Sequence, residues 1–185
     1  MKMQNVNIRL HPTQDQFSQL IDLQNENLLD VLKKSEQAHG FLSVKFSVAQ
    51  FKEMDKDLCV AVALKENKVV GYLAASTFAF NKQFEILSCM IQQCEHLVLN
   101  GKPFFSQKLF IPGPICIHKE YRGKGVFAHL YKMLFDSLSH DFDVAVNFVS
   151  QINKRSLEAH QKIGMKPIDL FEFKNASFSI LAKKI

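Results

Sequence analysis

Lys119 to Leu134 reads KEYRGKGVFAHLYKML, in which Arg122, Gly123, Lys124 and Gly125 crowd four positions before an apolar helical pattern begins. Consecutive backbone N–H groups at a helix N-terminus point one way, and glycine lets a ligand approach them, so this stretch suits a phosphate or pyrophosphate. Arg122 and Lys124 add positive charge. The plainer reading is a solvated strand-to-helix turn that uses glycine for tightness. Two common phosphate loops fit poorly. The nucleoside-triphosphate pattern fails because Gly125 follows Lys124, and no glycine stands at the required upstream position. The dinucleotide pattern matches in letters at Gly123, Gly125 and Ala128, but HKEYR parts it from the preceding strand. The next strand closes on Ser150 and Gln151 and not on an acidic residue, while Asp143 opens it.

Upstream, NVNIRL (Asn5 to Leu10) alternates as a short first strand. Thr13 with Gln16 and Ser47 with Gln50 are capping-box pairs that open two helices. Their apolar faces are Phe17, Leu20, Ile21 and Leu28 in the first, and Val48, Phe51 and Met54 in the second. CVAVAL (Cys59 to Leu64) and VVGYLAASTFAF (Val69 to Phe80), joined by KENK, predict a β-hairpin. The apolar residues between Asn81 and Gly101 predict one helix and then a loop at NGKP. QKLFIPGPICI (Gln107 to Ile117) has strand composition broken by Pro112, Gly113 and Pro114; proline cannot donate to a ladder, so a bulged or splayed strand is expected. Past the glycine loop, Val126, Leu130, Met133, Leu134 and Leu138 share one helix face, and Asp143 to Ser150 reads as a strand. Asn153 is a good N-cap for a helix to Ile163, which Gly164 would end, and the tail from Ile168 reads as two strands around KNAS.

The bulk composition narrows the classes. At 185 residues, 47% hydrophobic and 22% charged, the chain fits one domain over 1–185, without internal repeat or linker. It has no run of about 18 apolar residues and no secretory signal in MKMQNVNIRLHP, so a soluble cytoplasmic protein with no membrane partner is expected. Cys59, Cys89, Cys94 and Cys116 form neither a CxxC pair nor a disulfide scaffold, which fits reduced thiols. The net charge of +5 is scattered and no groove-reading motif accompanies it, so no nucleic-acid partner is expected.

Ile115, Ile117, Arg122, Gly125 and the start of the following helix resemble the coenzyme A loop of the GCN5-related N-acetyltransferases, the GNAT family. NKRSLEAHQKIGM, Asn153 to Met165, is similar to that family's second signature, and the two stand in the right order. The order of elements resembles the family's over nearly the whole chain. The resemblance implies an α/β fold whose mixed, mostly antiparallel central sheet of about seven strands has a splayed fourth strand and flanking helices. Three residues depart from the pattern: Phe127 stands where the loop prefers Gly or Ala, Met165 replaces a Phe, and His160 sits where many members place a Tyr that acts as general acid.

By this resemblance the acyl-donor co-substrate is acetyl-CoA or another acyl-CoA, with no metal. Its pyrophosphate would lie on the N–H groups of Arg122, Gly123, Lys124, Gly125, Val126 and Phe127. Its pantetheine would run along Ile115, Cys116 and Ile117, with Asn153 and Ser156 across the opening. The expected reaction is direct attack by an amine, on a small molecule or peptide, in a ternary complex. Backbone N–H groups of Ile115 to Ile117 would hold the oxyanion, and His160 is the candidate acid. The base stays open among Glu85, His96, His118 and Glu120. A thiolate route through Cys116 beside His118 is the lesser chemistry, because a buried strand Cys is usually inert. The spacing of Cys94, His96, Cys116 and His118 matches no common zinc pattern. The alternative from another class is a CoA-binding module that transfers nothing, motivated by Phe127 and the missing Tyr. Acceptor choice would come from the first two helices and the excursion from Asn81 to Pro112, which could shape an acceptor pocket or a homodimer contact.

Overall fold

Cys59–Lys65 (β2) and Lys68–Thr77 (β3) do not alternate because both faces of each are covered. On one face Ala61 and Ala63 pack with Val126, Leu130 and Leu134 of the helix Val126–Leu138 (α6). On the other, Val60 and Val62 meet Phe17 and Leu20 of Gln14–Asn25 (α1) and Phe51 and Met54 of Val48–Asp57 (α3). The computed structural model describes residues 6–99 and 101–185.

The main sheet has seven strands. Asn7–Leu10 (β1) pairs with β2, and β3 pairs with Leu109–Ile117 (β6). Next come Val144–Ser150 (β7), Ala176–Lys184 (β9) and Lys166–Phe173 (β8), giving the order β1-β2-β3-β6-β7-β9-β8. Every neighbouring pair is antiparallel except β6 with β7. The mixed, mostly antiparallel sheet flanked by helices is the expected architecture. Two-residue turns join the hairpins within the expected KENK and KNAS segments, at Glu66–Asn67 and Lys174–Asn175, all four with positive φ.

The parallel contact is short. Only Leu109 with Val144 and Phe110 with Ala145 pair between β6 and β7, after which the strands part. On its other side β6 keeps to β3, but the register jumps from Leu73 opposite Ile115 to Ala75 opposite Pro112. The splay therefore falls on the Pro-Gly-Pro stretch, as its missing donors require. The His118 N–H donates to the Val70 carbonyl at 2.9 Å, which fixes the antiparallel alternation. By that alternation Cys116 spends its backbone groups on Tyr72, whereas Ile115 and Ile117 turn theirs toward the gap.

Several elements differ from expectation. The β3 strand stops at Thr77, whose hydroxyl accepts the Phe80 N–H at 3.1 Å and starts Phe78–Asn81 (α4). The expected helix between Asn81 and Gly101 is present as Glu85–Gln93 (α5), whereas α4 occupies the end of the segment expected as strand, and the loop expected at NGKP contains Lys102–Pro103 (β5), which pairs with Val98–Leu99 (β4). Asn5 of the first strand and Asn100 of that turn lie outside the described residues. Leu28 is buried as expected but lies beyond the end of α1, where it bridges to Leu42. No helix among the described residues is long and apolar enough to cross a membrane.

That bridge belongs to a strap, residues 27–46, which includes the short helix Lys34–Gln37 (α2) and returns to α1. Gln24, fully buried, acts as a substitute strand partner: its amide donates to the Phe46 carbonyl and accepts the Phe46 N–H, both at 2.8 Å. Gln24→Leu strands both groups in a dry interior. We expect a loss of about 2 kcal/mol of stability, read from the urea midpoint at unchanged m.

Candidate active site

Gly123 and Gly125 take φ of 73° and 86°, the left-handed region, and Gly125 is the N-cap of α6. The first N–H groups of α6 have no intrahelical partners, and the loop sets them beside a cleft of about 740 Å3. Arg122, Gly123, Gly125, Phe127 and Ala128 line one side of it, and residues of Lys154–Lys162 (α7) line the other. Lys124 and Val126 do not line it with their side chains. The Lys124 ammonium sits 5.7 Å from the Tyr121 ring centre, and Val126 is a core residue. The Arg122 guanidinium donates to the carbonyls of Ile117 and His39, both at 2.9 Å, and to Asn27 Oδ1. All three acceptors are uncharged, so no carboxylate cancels its charge among the described residues.

A second cavity, of about 110 Å3, opens where β6 and β7 separate. Phe41, Leu42, Ile115, Asn153 and Ser156 line both spaces, so the two meet at the mid-point of β6. Asn153 is present, but its amide is engaged: it donates to the Phe41 carbonyl at 3.0 Å and accepts the Ser156 N–H at 3.2 Å as the N-cap of α7. Its contribution is to hold the strap over the gap. Cys116 lines the larger cleft, but neither its backbone groups nor its thiol is free. Its backbone pairs with β3, and burial pushes its thiol up to about 12, against the thiolate route.

His160 is buried and ends a chain of uncharged polar groups. Its Nδ1 lies 2.7 Å from the Ser156 carbonyl, an obligate acceptor, so Nδ1 carries the proton. Nε2 then accepts from the Tyr131 hydroxyl at 2.8 Å, and Asn147 Nδ2 donates to that hydroxyl at 3.2 Å. Burial lowers the His160 pKa to about 4, opposed by the Ser156 carbonyl, and raises that of Tyr131. Burial thus favours the neutral ring, which weighs against His160 as the candidate acid. Phe127 covers it edge-on, the ring centres 5.0 Å apart.

Tyr131 and Asn147 did not emerge from the sequence. Their signals were a phenol on the apolar face of α6 and one amide inside VAVNFVS, both easily taken for core packing. None of the expected bases lines either space. Glu85 is exposed and paired to Lys174 at 2.8 Å, which holds its carboxyl below the usual range, and His96, His118 and Glu120 stand elsewhere. No group of three His, Cys, Asp or Glu suited to a metal occurs among the described residues.

The buried imidazole couples folding to pH. Between its unfolded pKa of 6.5 and its folded value of about 4, only the unfolded chain takes up the proton, so stability is full above 6.5 and falls as pH drops. From this group we expect a loss of roughly 2 kcal/mol from pH 7 to pH 5, with the His160 ring resonances unmoved by NMR over the same range.

The profile of the family described as Acetyltransferase (GNAT) family matches residues 19–165. No curated protein matches the chain in sequence. Among solved structures, the NatC complex bound to Gag peptide and CoA superposes with a TM-score of 0.67 at 11% identity, covering 98% of this chain and 99% of that one. The protein yncA from Salmonella typhimurium, solved with its cofactor acetyl-CoA, gives 0.64 at 13% identity over 98% of this chain and 94% of its own. An N-acetyltransferase from Staphylococcus aureus Mu50 gives 0.64 at 13% identity, over 98% and 99%. At such identities these likenesses speak for the fold, while the profile spans most of the sequence: this chain belongs to the GNAT acetyltransferase family.

Proposed function

We propose that the chain binds acetyl-CoA in the larger cleft and transfers the acetyl group to an amine that enters the smaller one. The observation that carries this reading is the shared wall: the phosphate-type loop and the second cavity meet at Ile115, Asn153 and Ser156 in the gap between β6 and β7. Family membership and the two neighbours solved with CoA or acetyl-CoA support it.

When bound, acetyl-CoA supplies a thioester carbonyl carbon open to attack by an amine lone pair. The N–H groups from Gly123 to Phe127 hold phosphate oxygens, aided by the α6 dipole and the uncancelled charge of Arg122. The unpaired backbone of Ile115 offers the pantetheine amides one strand position. The Ile115 and Ile117 N–H groups, fixed by β3, are the donors for a developing oxyanion; Cys116 drops out of that set. His160 positions and does not protonate. Its Nδ1–H is shared between the Ser156 carbonyl and the Ser156 Oγ at 3.3 Å, which leaves the Ser156 hydroxyl proton free for a departing sulfur.

The non-catalytic alternative draws on one observation: among the described residues no carboxylate lines the smaller cavity, and burial favours the neutral form of its imidazole. Turnover across a broad amine panel separates the two readings, since release of CoA thiol with any amine excludes a pure binding module. Calorimetric titration with acetyl-CoA tests the common part. We expect micromolar binding, weakened at least roughly tenfold by Ala128→Asp, which sets a carboxylate on an exposed first-turn position of α6 that tolerates it. Unchanged affinity in that folded variant would remove the loop from the coenzyme site.

A further inference from the structure

The smaller cavity is chemically unlike the larger one. Its walls include Phe41, Phe46, Leu87, Ile111 and Phe148, and among the described residues no Asp, Glu, Lys or Arg lines it. Its volume of about 110 Å3 approaches that of cavities of about 150 Å3 that take up a single benzene ring. The polar feature in this wall without an assignment is Asn147. Its Nδ2 is committed to Tyr131 by the tautomer of His160, so the other end of the amide is necessarily Oδ1. That oxygen has no hydrogen-bond partner among the described residues and is closed to water-sized access as the amide stands, so a ligand N–H reaches it only after the amide shifts toward the cavity. A buried acceptor left bare is costly, and a ligand N–H would satisfy it.

A cationic amine fares badly here. It would shed its water with no carboxylate to meet it, and no wall residue is placed to take its proton. An alkylamine with the basicity of a lysine side chain is uncharged at pH 7 in only roughly one molecule in 2500. The geometry points to an acceptor of one class: a primary amine uncharged at neutral pH and carried on a single apolar ring, of the arylamine type, with its N–H on Asn147 Oδ1. This rests on reading the larger cleft as the acyl-CoA site. Attack by the nitrogen lone pair forms the C–N bond as the C–S bond breaks. The proton lost from nitrogen ends on sulfur through water, so that amine and thioester give amide and thiol.

The test uses the full chain with 4-methylaniline and its cationic near-isostere benzylamine. Ligand-observed NMR on the free protein should detect 4-methylaniline, and Ser43→Phe, which crowds the cavity from an exposed wall position, should weaken it at least roughly tenfold, as should Asn147→Leu. With acetyl-CoA saturating at pH 7, thiol release should favour 4-methylaniline over benzylamine by roughly tenfold or more in kcat/KM. Its rate should be flat from about pH 6.5 to 8.5 while that of benzylamine climbs. If acetyl-CoA binds but 4-methylaniline is neither bound nor acetylated, or if benzylamine is preferred, the acceptor class is overturned and the coenzyme reading stands. A folded protein that binds no acetyl-CoA overturns both.

Discussion

The parting of β6 from β7 is the constraint on which the rest depends. A parallel pair of strands that stops after two residues leaves a row of backbone groups without strand partners in the middle of a sheet, where almost every other such group is bonded within the ladder. The structure tolerates this because the exposed edge lines a space and does not lie against dry side chains. Everything near it serves to keep the gap open at a set width. The register jump on β3 turns the strand, the strap roofs the opening, and Asn153 ties roof to helix through the Phe41 carbonyl.

Inside the gap the polar groups are neutral by arrangement. From the Ser156 carbonyl through His160 and Tyr131 to Asn147, each donor finds one acceptor, and one end of the chain fixes the proton positions of the rest. A run of neutral hydrogen bonds of this kind holds its members at low electrostatic cost, because no charge has to be desolvated. Its one open valence is the Asn147 carbonyl oxygen. The site thus offers oriented dipoles in place of a charged acid and base, and restricts chemistry to partners that bring their own reactivity.

Much of the frame could be read from letters. Two capping-box pairs, the KENK and KNAS turns, the interrupted strand and the glycine loop are local signals, and each sits where the chain needs it. The glycine loop and the cap of α7 were legible for the same reason: Gly123, Gly125 and Asn153 declare a backbone conformation. What stayed hidden depends on contacts distant in sequence. The chain cannot announce that Gln24 pairs with Phe46, or that Tyr131 meets His160 across 29 positions. The end of β3 misled because VVGYLAASTFAF has strand composition throughout, while Thr77 offers a cap that starts a helix and stops the strand early. His160 misled in another way: an imidazole's charge is set by its surroundings, which the sequence does not display.

Arg122 carries a further consequence. A guanidinium has five N–H donors, and three are spent here, on Ile117, His39 and Asn27. Two remain for an anion on the glycine loop. Asn27 and His39 belong to the strap that roofs the smaller cavity, so an anion taking those two donors would be joined through one planar group to the lid of the neighbouring chamber. Any displacement of that guanidinium is therefore felt at the glycine loop and at the strap together.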